Sequence, residues 1–369
     1  MMEELKWKRI ALLATLALLL VAACPPVFSQ DGFDGVERIV AVGDIHGDFA
    51  AFTEILRSAK LIDRKDSWIG GTTHLVQTGD FLDRGAESRK VMDLLMRLEK
   101  QAAKAGGAVH VLLGNHEVLN ILGDLRYVSA GEFESYKSPD AAELRRQAFE
   151  SQATDSQKKD SSYRRAWEKQ HPLGWVEHRF AFSQAGTYGK WLRQKNTVIR
   201  IDEVLFLHGG ISPRYTSMSI HDINELVRAD LMKSPVEAVR GILTDPEGPL
   251  WYRAMTQGPE SELAAQVDAV LSAFAVQHIV IAHTPTPGIV MPRFNGKVIM
   301  IDVGLSEVFG AGQACLEFVA GKPFAIHRGK TLALPSGASI MGYLRAAEAL
   351  EPPGSPLRRY MGRLVNTSQ

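Results

Sequence analysis

The sequence predicts an α/β fold on the strength of three observations. An apolar run, a polar turn and an amphipathic helical stretch follow one another three times between residues 36 and 122, and further apolar strands recur after residue 197. That alternation is the pattern of a largely parallel sheet covered by helices. Each of the three turns carries Asp, His or Asn, and in α/β sheets ligands gather outside the carboxyl ends of the strands, where such turns sit.

Residues 36–42 (Val-Glu-Arg-Ile-Val-Ala-Val) read as a buried strand running into Gly43-Asp44-Ile45-His46-Gly47-Asp48. A helix follows over 49–59, with Phe49, Phe52, Ile55, Leu56 and Ala59 at helical spacing. Residues 74–78 are the second strand, Gly79-Asp80-Phe81-Leu82-Asp83-Arg84-Gly85 the second turn, and 88–104 the second helix, with Met92, Leu95, Met96 and Leu98 as its core stripe. The third strand, 108–113, ends at Gly114-Asn115-His116-Glu117 and a helical start.

Residues 124–197 are rich in charge, Ser and Gln, and predict a mostly helical insertion with a flexible centre near 151–162. In its second half, Trp167, Trp175, Phe180, Phe182, Tyr188 and Trp191 predict packing onto the body and a roof over the site. Beyond it, 198–207 reads as a strand pair reaching His208-Gly209-Gly210, and 220–232 and 267–275 as helices. Residues 278–282 read as a strand ending at His283, 297–302 as a strand and 315–327 as a hairpin. The domain is expected over 30–350, with a loosely ordered tail over 351–369.

The chain of 369 residues sets 42 Lys and Arg against 42 Asp and Glu, a balance that argues against nucleic acid or a broad anionic surface as partner. With 45% hydrophobic and 23% charged residues, the composition is that of an ordinary globular protein, neither disordered nor polytopic. Residues 1–29 stand apart. Lys6, Lys8 and Arg9 precede an apolar run over 10–23 that falls short of the roughly 20 residues a spanning helix needs, so the segment reads as a secretory leader. Two endings stay open: Val21-Ala22-Ala23-Cys24 as a lipobox, giving a membrane-anchored lipoprotein with a lipid on Cys24, or cleavage after Val27-Phe28-Ser29, giving an exported periplasmic protein. Cys315 would then be alone in the mature chain, which rules out a disulfide within it.

Asp44, His46, Asp80, Asn115, His116, His208 and His283 stand at strand ends. Carboxylate, imidazole and amide donors without thiolate suit Mn, Fe or Zn better than a structural thiolate zinc site. So many donors exceed the needs of one ion. They fit two ions about 3.5–4 Å apart sharing a carboxylate, an arrangement that stabilises both the attacking and the leaving oxygen in phosphoryl transfer. Any one of these residues alone reads equally well as a cap or turn residue.

Gly43-Asp44-Ile45-His46-Gly47, Gly79-Asp80-Phe81-Leu82-Asp83-Arg84-Gly85, Gly114-Asn115-His116-Glu117, His208-Gly209-Gly210 and Ala282-His283-Thr284 resemble, in order over 36–305, the signature series of PPP-type metallophosphatases in the calcineurin-like metallophosphoesterase superfamily. The resemblance implies a four-layer αββα sandwich and a metal-dependent phosphomonoesterase with two divalent ions, manganese first, iron or zinc as alternatives. It implies that Asp44, His46 and Asp80 hold one ion, that Asp80, Asn115, His208 and His283 hold the other, and that a metal-bridging hydroxide attacks phosphorus. His116, oriented and charged by Asp83, would protonate the leaving oxygen. Arg84 and a second arginine, matched by Arg253 in Gly248-Pro249-Leu250-Trp251-Tyr252-Arg253 ahead of Arg240, would grip the phosphate.

The chain departs from the eukaryotic-type pattern in carrying Ile301-Asp302-Val303-Gly304-Leu305-Ser306 in place of a Ser-Ala-Pro-Asn-Tyr segment and a long stretch between His116 and His208. Val118-Leu119-Asn120-Ile121-Leu122-Gly123-Asp124-Leu125-Arg126-Tyr127-Val128 and Asp302-Val303-Gly304 resemble the Shewanella-like (Shelph) protein phosphatase branch. Some members of that branch act on phosphotyrosine. The expected substrate is a phosphorylated protein, on tyrosine or on serine and threonine. The alternatives are a small phosphoester such as a dinucleoside polyphosphate, and an inactive binding protein on the same fold. His74, His110, His278 and His327 read as structural; His171, His178 and His221 have no assignment; Arg126 and Tyr127 either line the cleft or anchor the insertion.

Overall fold

Two sets of three parallel strands aim their carboxyl ends at the same place. The computed structural model describes residues 30–335 and 340–367, with side chains through residue 364. The expected leader, with its lipobox and Cys24, lies outside the described residues. Among the described residues no helix is long and apolar enough to cross a membrane.

After a short β1 (Gly32–Phe33) come β2 (Arg38–Val42), β3 (His74–Gln77) and β4 (Ala108–Val111), parallel and in register from Ile39 to His74 to Ala108. In the second half, β5 (Val198–Ile201) turns back into β6 (Val204–Leu207), which runs parallel to β7 (His278–Ile281); β8 (Met291–Arg293) pairs with β9 (Val298–Met300), itself parallel to β7. The antiparallel strands β10 (Ala314–Val319), β11 (Lys322–His327) and β12 (Lys330–Ala333) then extend the first sheet. The result is two six-stranded sheets, ordered β12-β11-β10-β2-β3-β4 and β1-β5-β6-β7-β9-β8. All of β6 and all but the first residue of β2 are buried, as strands covered on both faces must be, which is why their sequences are apolar without alternation. Phe206 and Phe318 meet edge to face at 6.5 Å and join the two sheets.

Helices α1 (Phe49–Ser58), α2 (Ser88–Lys104) and α3 (Asn115–Leu122) follow the first three strands directly. Val91, Met92, Leu94, Leu95 and Leu98 form the buried stripe of α2, with Met96 at its edge. After the insertion come α10 (Ile220–Leu231), α11 (Pro235–Ala238), α12 (Ala254–Gln257) and α13 (Glu260–Phe274). Helix α13 starts earlier than the sequence reading places it, directly after Pro259, which stands at its N-cap.

The insertion holds α4 (Ala130–Tyr136), α5 (Ala141–Gln152), α6 (Asp155–Lys159), α7 (Ser161–Gln170), α8 (Trp175–Ala181) and α9 (Thr187–Leu192). Its centre, expected to be flexible, is helical: Thr154 and Gln157 form a capping box and Asp160 accepts from the amides of Ser162 and Tyr163. Capping needs no apolar periodicity, so that signal was missed. Phe149, Ala153 and Trp167 build a small core of their own. Nor does the aromatic second half roof the site. Tyr188 donates to Asp93 at 2.7 Å and Trp191 to Glu99 at 2.9 Å, both on α2, while Phe180 points to solvent.

The expectation of a loose tail is corrected. After α14 (Ile340–Glu348), residues Pro356–Thr367 form α15, with Leu357 and Met361, one turn apart, buried in the main core. Glu351 anchors the turn before it against His327 at 2.9 Å and Arg328 at 2.8 Å. The Pro-Pro-Gly run reads as disorder but positions a helix whose first residue is Pro356, a favoured place for proline.

Candidate metal centre

The three turns of the first sheet lie against one another. Gly79 has φ +94°, and a Cβ there would run into the backbone of Gly114; one at Gly114 would strike Asp80. Only glycine lets the second and third turns approach this closely. Five site residues that are not glycine also adopt positive φ: His46 (48°), Asp80 (54°), Asp83 (69°), Arg84 (67°) and His283 (65°). Such backbone persists where its surroundings over-determine it. Here Glu117, fully buried, accepts amide hydrogens from Asp80 (2.8 Å), Phe81 (3.0 Å), Leu82 (3.3 Å) and Gly114 (2.8 Å), pinning both turns with one carboxylate.

The second sheet closes the floor. His208, at the end of β6, sets Nδ1 3.0 Å from the Thr78 carbonyl and turns Nε2 toward Asn115 Oδ1 (3.0 Å), His283 Nδ1 (3.0 Å) and Asp80 Oδ2 (3.3 Å). Two donor sets, one of His46, Asp80 and His116 and one of Asp80, His208 and His283, each converge within 4.8 Å and share Asp80. Asp44 lies 3.9 Å from His46 and 3.8 Å from His208, facing Asp302. The cavity, about 130 Å³, is lined by Asp44, His46, Asp80, Asn115, His116 and His283, with Arg84, Arg253, Pro285, Asp302 and Phe309.

His116 Nδ1 lies 2.6 Å from Asp83 Oδ2, and Asn120 donates to the other Asp83 oxygen at 2.9 Å. Burial opposes a charge on His116, yet Asp80 and Asp83 push its pKa up to about 9. Burial also opposes the charge of Asp80, but His208 and His116 hold it well below the usual carboxylate range. Burial, followed by Asp302 and Asp80, pushes Asp44 well up, and burial lifts Asp302 to about 6. Crowded carboxylates of this kind call for added positive charge. His283 Nδ1, 3.0 Å from His208 Nε2, brings a second imidazole nitrogen to the group built around Asp80, and imidazoles with a carboxylate are the donors a divalent ion takes. The donor set therefore fits divalent ions.

The structure brings Asp44, His46, Asp80, Asp83, Asn115, His116, His208 and His283 together, with Arg84 exposed and Arg253 half-buried at the mouth. Arg253 donates to the His283 carbonyl at 2.6 Å, whereas Arg240 lies in a separate cleft with Arg214 and Tyr215. His74 and His110 face each other at 3.1 Å, His278 meets the Gly296 carbonyl at 2.8 Å and His171 stacks on Trp167, all outside the cavity. Sequence reasoning missed Glu117 as an anchor, and also Asn120, Asp302 and Phe309. The i,i+4 spacing of His116 and Asn120 on one helix was a usable signal. Phe309 offered none.

The profile of the calcineurin-like phosphoesterase family matches residues 37–287. The chain belongs to that family. This phosphoesterase is 30% identical to Shewanella-like protein phosphatase 1 of Plasmodium berghei over 75% of its own length and 69% of the relative's. It is 29% identical to Shewanella-like protein phosphatase 2 of Arabidopsis thaliana over 75% and 74%. Among solved structures, the cold-active protein-tyrosine phosphatase of a psychrophilic Shewanella superposes with a TM-score of 0.65 at 30% identity, covering 83% of each chain. The phosphoesterase is thus a phosphate-ester hydrolase of a metal-dependent family, built as two sheets flanked by helices.

Proposed function

We propose that this phosphoesterase removes phosphate from proteins, phosphotyrosine included, with two divalent ions at the floor of the cavity, manganese before iron or zinc. Asp44, His46 and Asp80 would hold one ion and Asp80, Asn115, His208 and His283 the other. Bound there, the ions supply positive charge for the phosphate and acidify a water. The chain's own groups do the rest. Arg84 and Arg253 grip phosphate oxygens at the mouth. Asp83 keeps Nδ1 of His116 protonated, so that Nε2, 3.8 Å from Asp80, delivers a proton to the leaving oxygen. Asn120 fixes Asp83.

One observation carries this reading: the buried His116–Asp83 pair, at 2.6 Å, opens on the cavity that Asp44, His46, Asp80, Asn115 and His283 line. The relatives named as protein phosphatases support the substrate class, and the leader over 1–29 supports export, with or without a lipid on Cys24. The test is phosphate release by the Mn²⁺-loaded protein from matched phosphotyrosine, phosphoserine and phosphothreonine peptides, with diadenosine tetraphosphate as the rival substrate. Turnover of the nucleotide alone would move the assignment to small phosphoesters; no turnover with Mn²⁺, Fe²⁺ or Zn²⁺ would leave a binding protein.

A further inference from the structure

We propose that Phe309, backed by Tyr127, forms an aryl subsite at the cavity mouth that selects phosphate esters of a phenol ring over alkyl esters. This rests on the phosphomonoesterase reading of the same site. The Phe309 ring lies 5.1 Å from the His46 ring and the Tyr127 ring 5.0 Å from that of His116, so each imidazole has an aromatic neighbour. The Arg84 guanidinium sits between them, 4.2 Å from the Tyr127 centroid and 5.8 Å from that of Phe309. Both rings are half-exposed. Pro285 adds apolar surface to the cavity, and Val308, 63% exposed, stands next to Phe309 in the chain.

The walls are held before any ligand arrives. Arg84 donates its amide to the Tyr127 carbonyl at 3.0 Å, and Ser129 bonds the Gly85 carbonyl at 2.9 Å. On the other side Glu307 donates its amide to Asp48 at 3.3 Å, and Gly312 to the Gly304 carbonyl at 3.0 Å, closing the loop that presents Phe309. A phosphate at the floor directs its ester oxygen to His116 and its substituent out past these walls. A phenol ring is long and flat enough to pack on them; a serine methylene passes with a single carbon. Tyr127 already spends one face on Arg84, so Phe309 is the cleaner residue to change.

The test compares Mn²⁺-loaded wild type, Phe309→Ala and Phe309→Leu on phosphotyrosine and phosphoserine peptides of one flanking sequence, and on binding of phenylphosphonate and ethylphosphonate by calorimetry. Phe309→Ala is expected to lose roughly tenfold in kcat/KM on phosphotyrosine, mostly through KM, and a clearly smaller factor on phosphoserine, with the same discrimination in phosphonate affinity. Phe309→Leu falls between. Equal losses on both esters, or an unchanged phenylphosphonate to ethylphosphonate ratio, overturn the subsite. A wild type that prefers phenylphosphonate but hydrolyses neither peptide keeps the subsite and overturns the phosphatase reading.

Discussion

At the strand ends Asp80 contacts His208, receives the amide of His116 and depends on Glu117 for its backbone, all of them buried. In the part of the insertion that holds α5 to α7, polar side chains pair at the surface, as Arg146 does with Glu143, and Phe149, Ala153 and Trp167 make a small separate core. Dense buried coupling makes the effects of substitutions large and non-additive, whereas a satellite lobe responds locally. The same chain thus holds one region where each polar group is hostage to its neighbours and one where few are.

The largest expected effect is at the shared carboxylate. Asp80→Asn should lower kcat/KM by at least about 10³-fold on p-nitrophenyl phosphate and abolish binding of the second Mn²⁺ in a metal titration. Asp83→Asn comes next: it should cut kcat roughly 10²-fold while leaving metal stoichiometry intact, and a loss of metal instead would place Asp83 among the groups that build the floor. Glu117→Gln, whose amide cannot accept the same four backbone hydrogens, should weaken Mn²⁺ affinity roughly 10- to 100-fold and shift the melting temperature of the metal-free protein less than that of the loaded one.

Trp167→Ala sharpens the contrast from the other side. Hydrogen exchange should rise in α5 and α7, with kcat/KM unchanged within about twofold; a large activity loss would join the insertion to the site. The smallest effect concerns the tail. Burial lowers the pKa of His327 from 6.5, and although burial opposes it, Arg328 and His327 lower that of Glu351. A lowered histidine binds its proton later in the fold than in the unfolded chain, and a lowered carboxylate likewise, so the contribution of His327 is lost as pH falls below 6.5, whereas that of Glu351 is lost only below 4.5. The melting temperature should therefore drop between pH 7 and pH 5, and drop less in His327→Gln.

Much of the fold was legible because its signals are local. The second helix was read at its observed bounds, and the strand pair at 198–207 and the hairpin at 315–327 came within a residue or two of β5, β6, β10 and β11. The misreadings share a cause. The capped helices near 155–170 and the helix after Pro352-Pro353-Gly354 take their order from caps and from long-range burial of Leu357 and Met361, which hydropathy periodicity over a short window does not register.

By itself the sequence determined that Asp44, His46, Asp80, Asn115 and His116 stand at the ends of three consecutive strands, because strand, turn and helix are each written in neighbouring residues. Tertiary structure decided what faces them. His208 reaches the floor because its ring meets the Thr78 carbonyl, 130 positions away, and Phe309 reaches the mouth because its loop closes against Asp48. Those placements follow from two sheets packing face to face, and packing couples residues by distance in space, which a linear pattern does not encode.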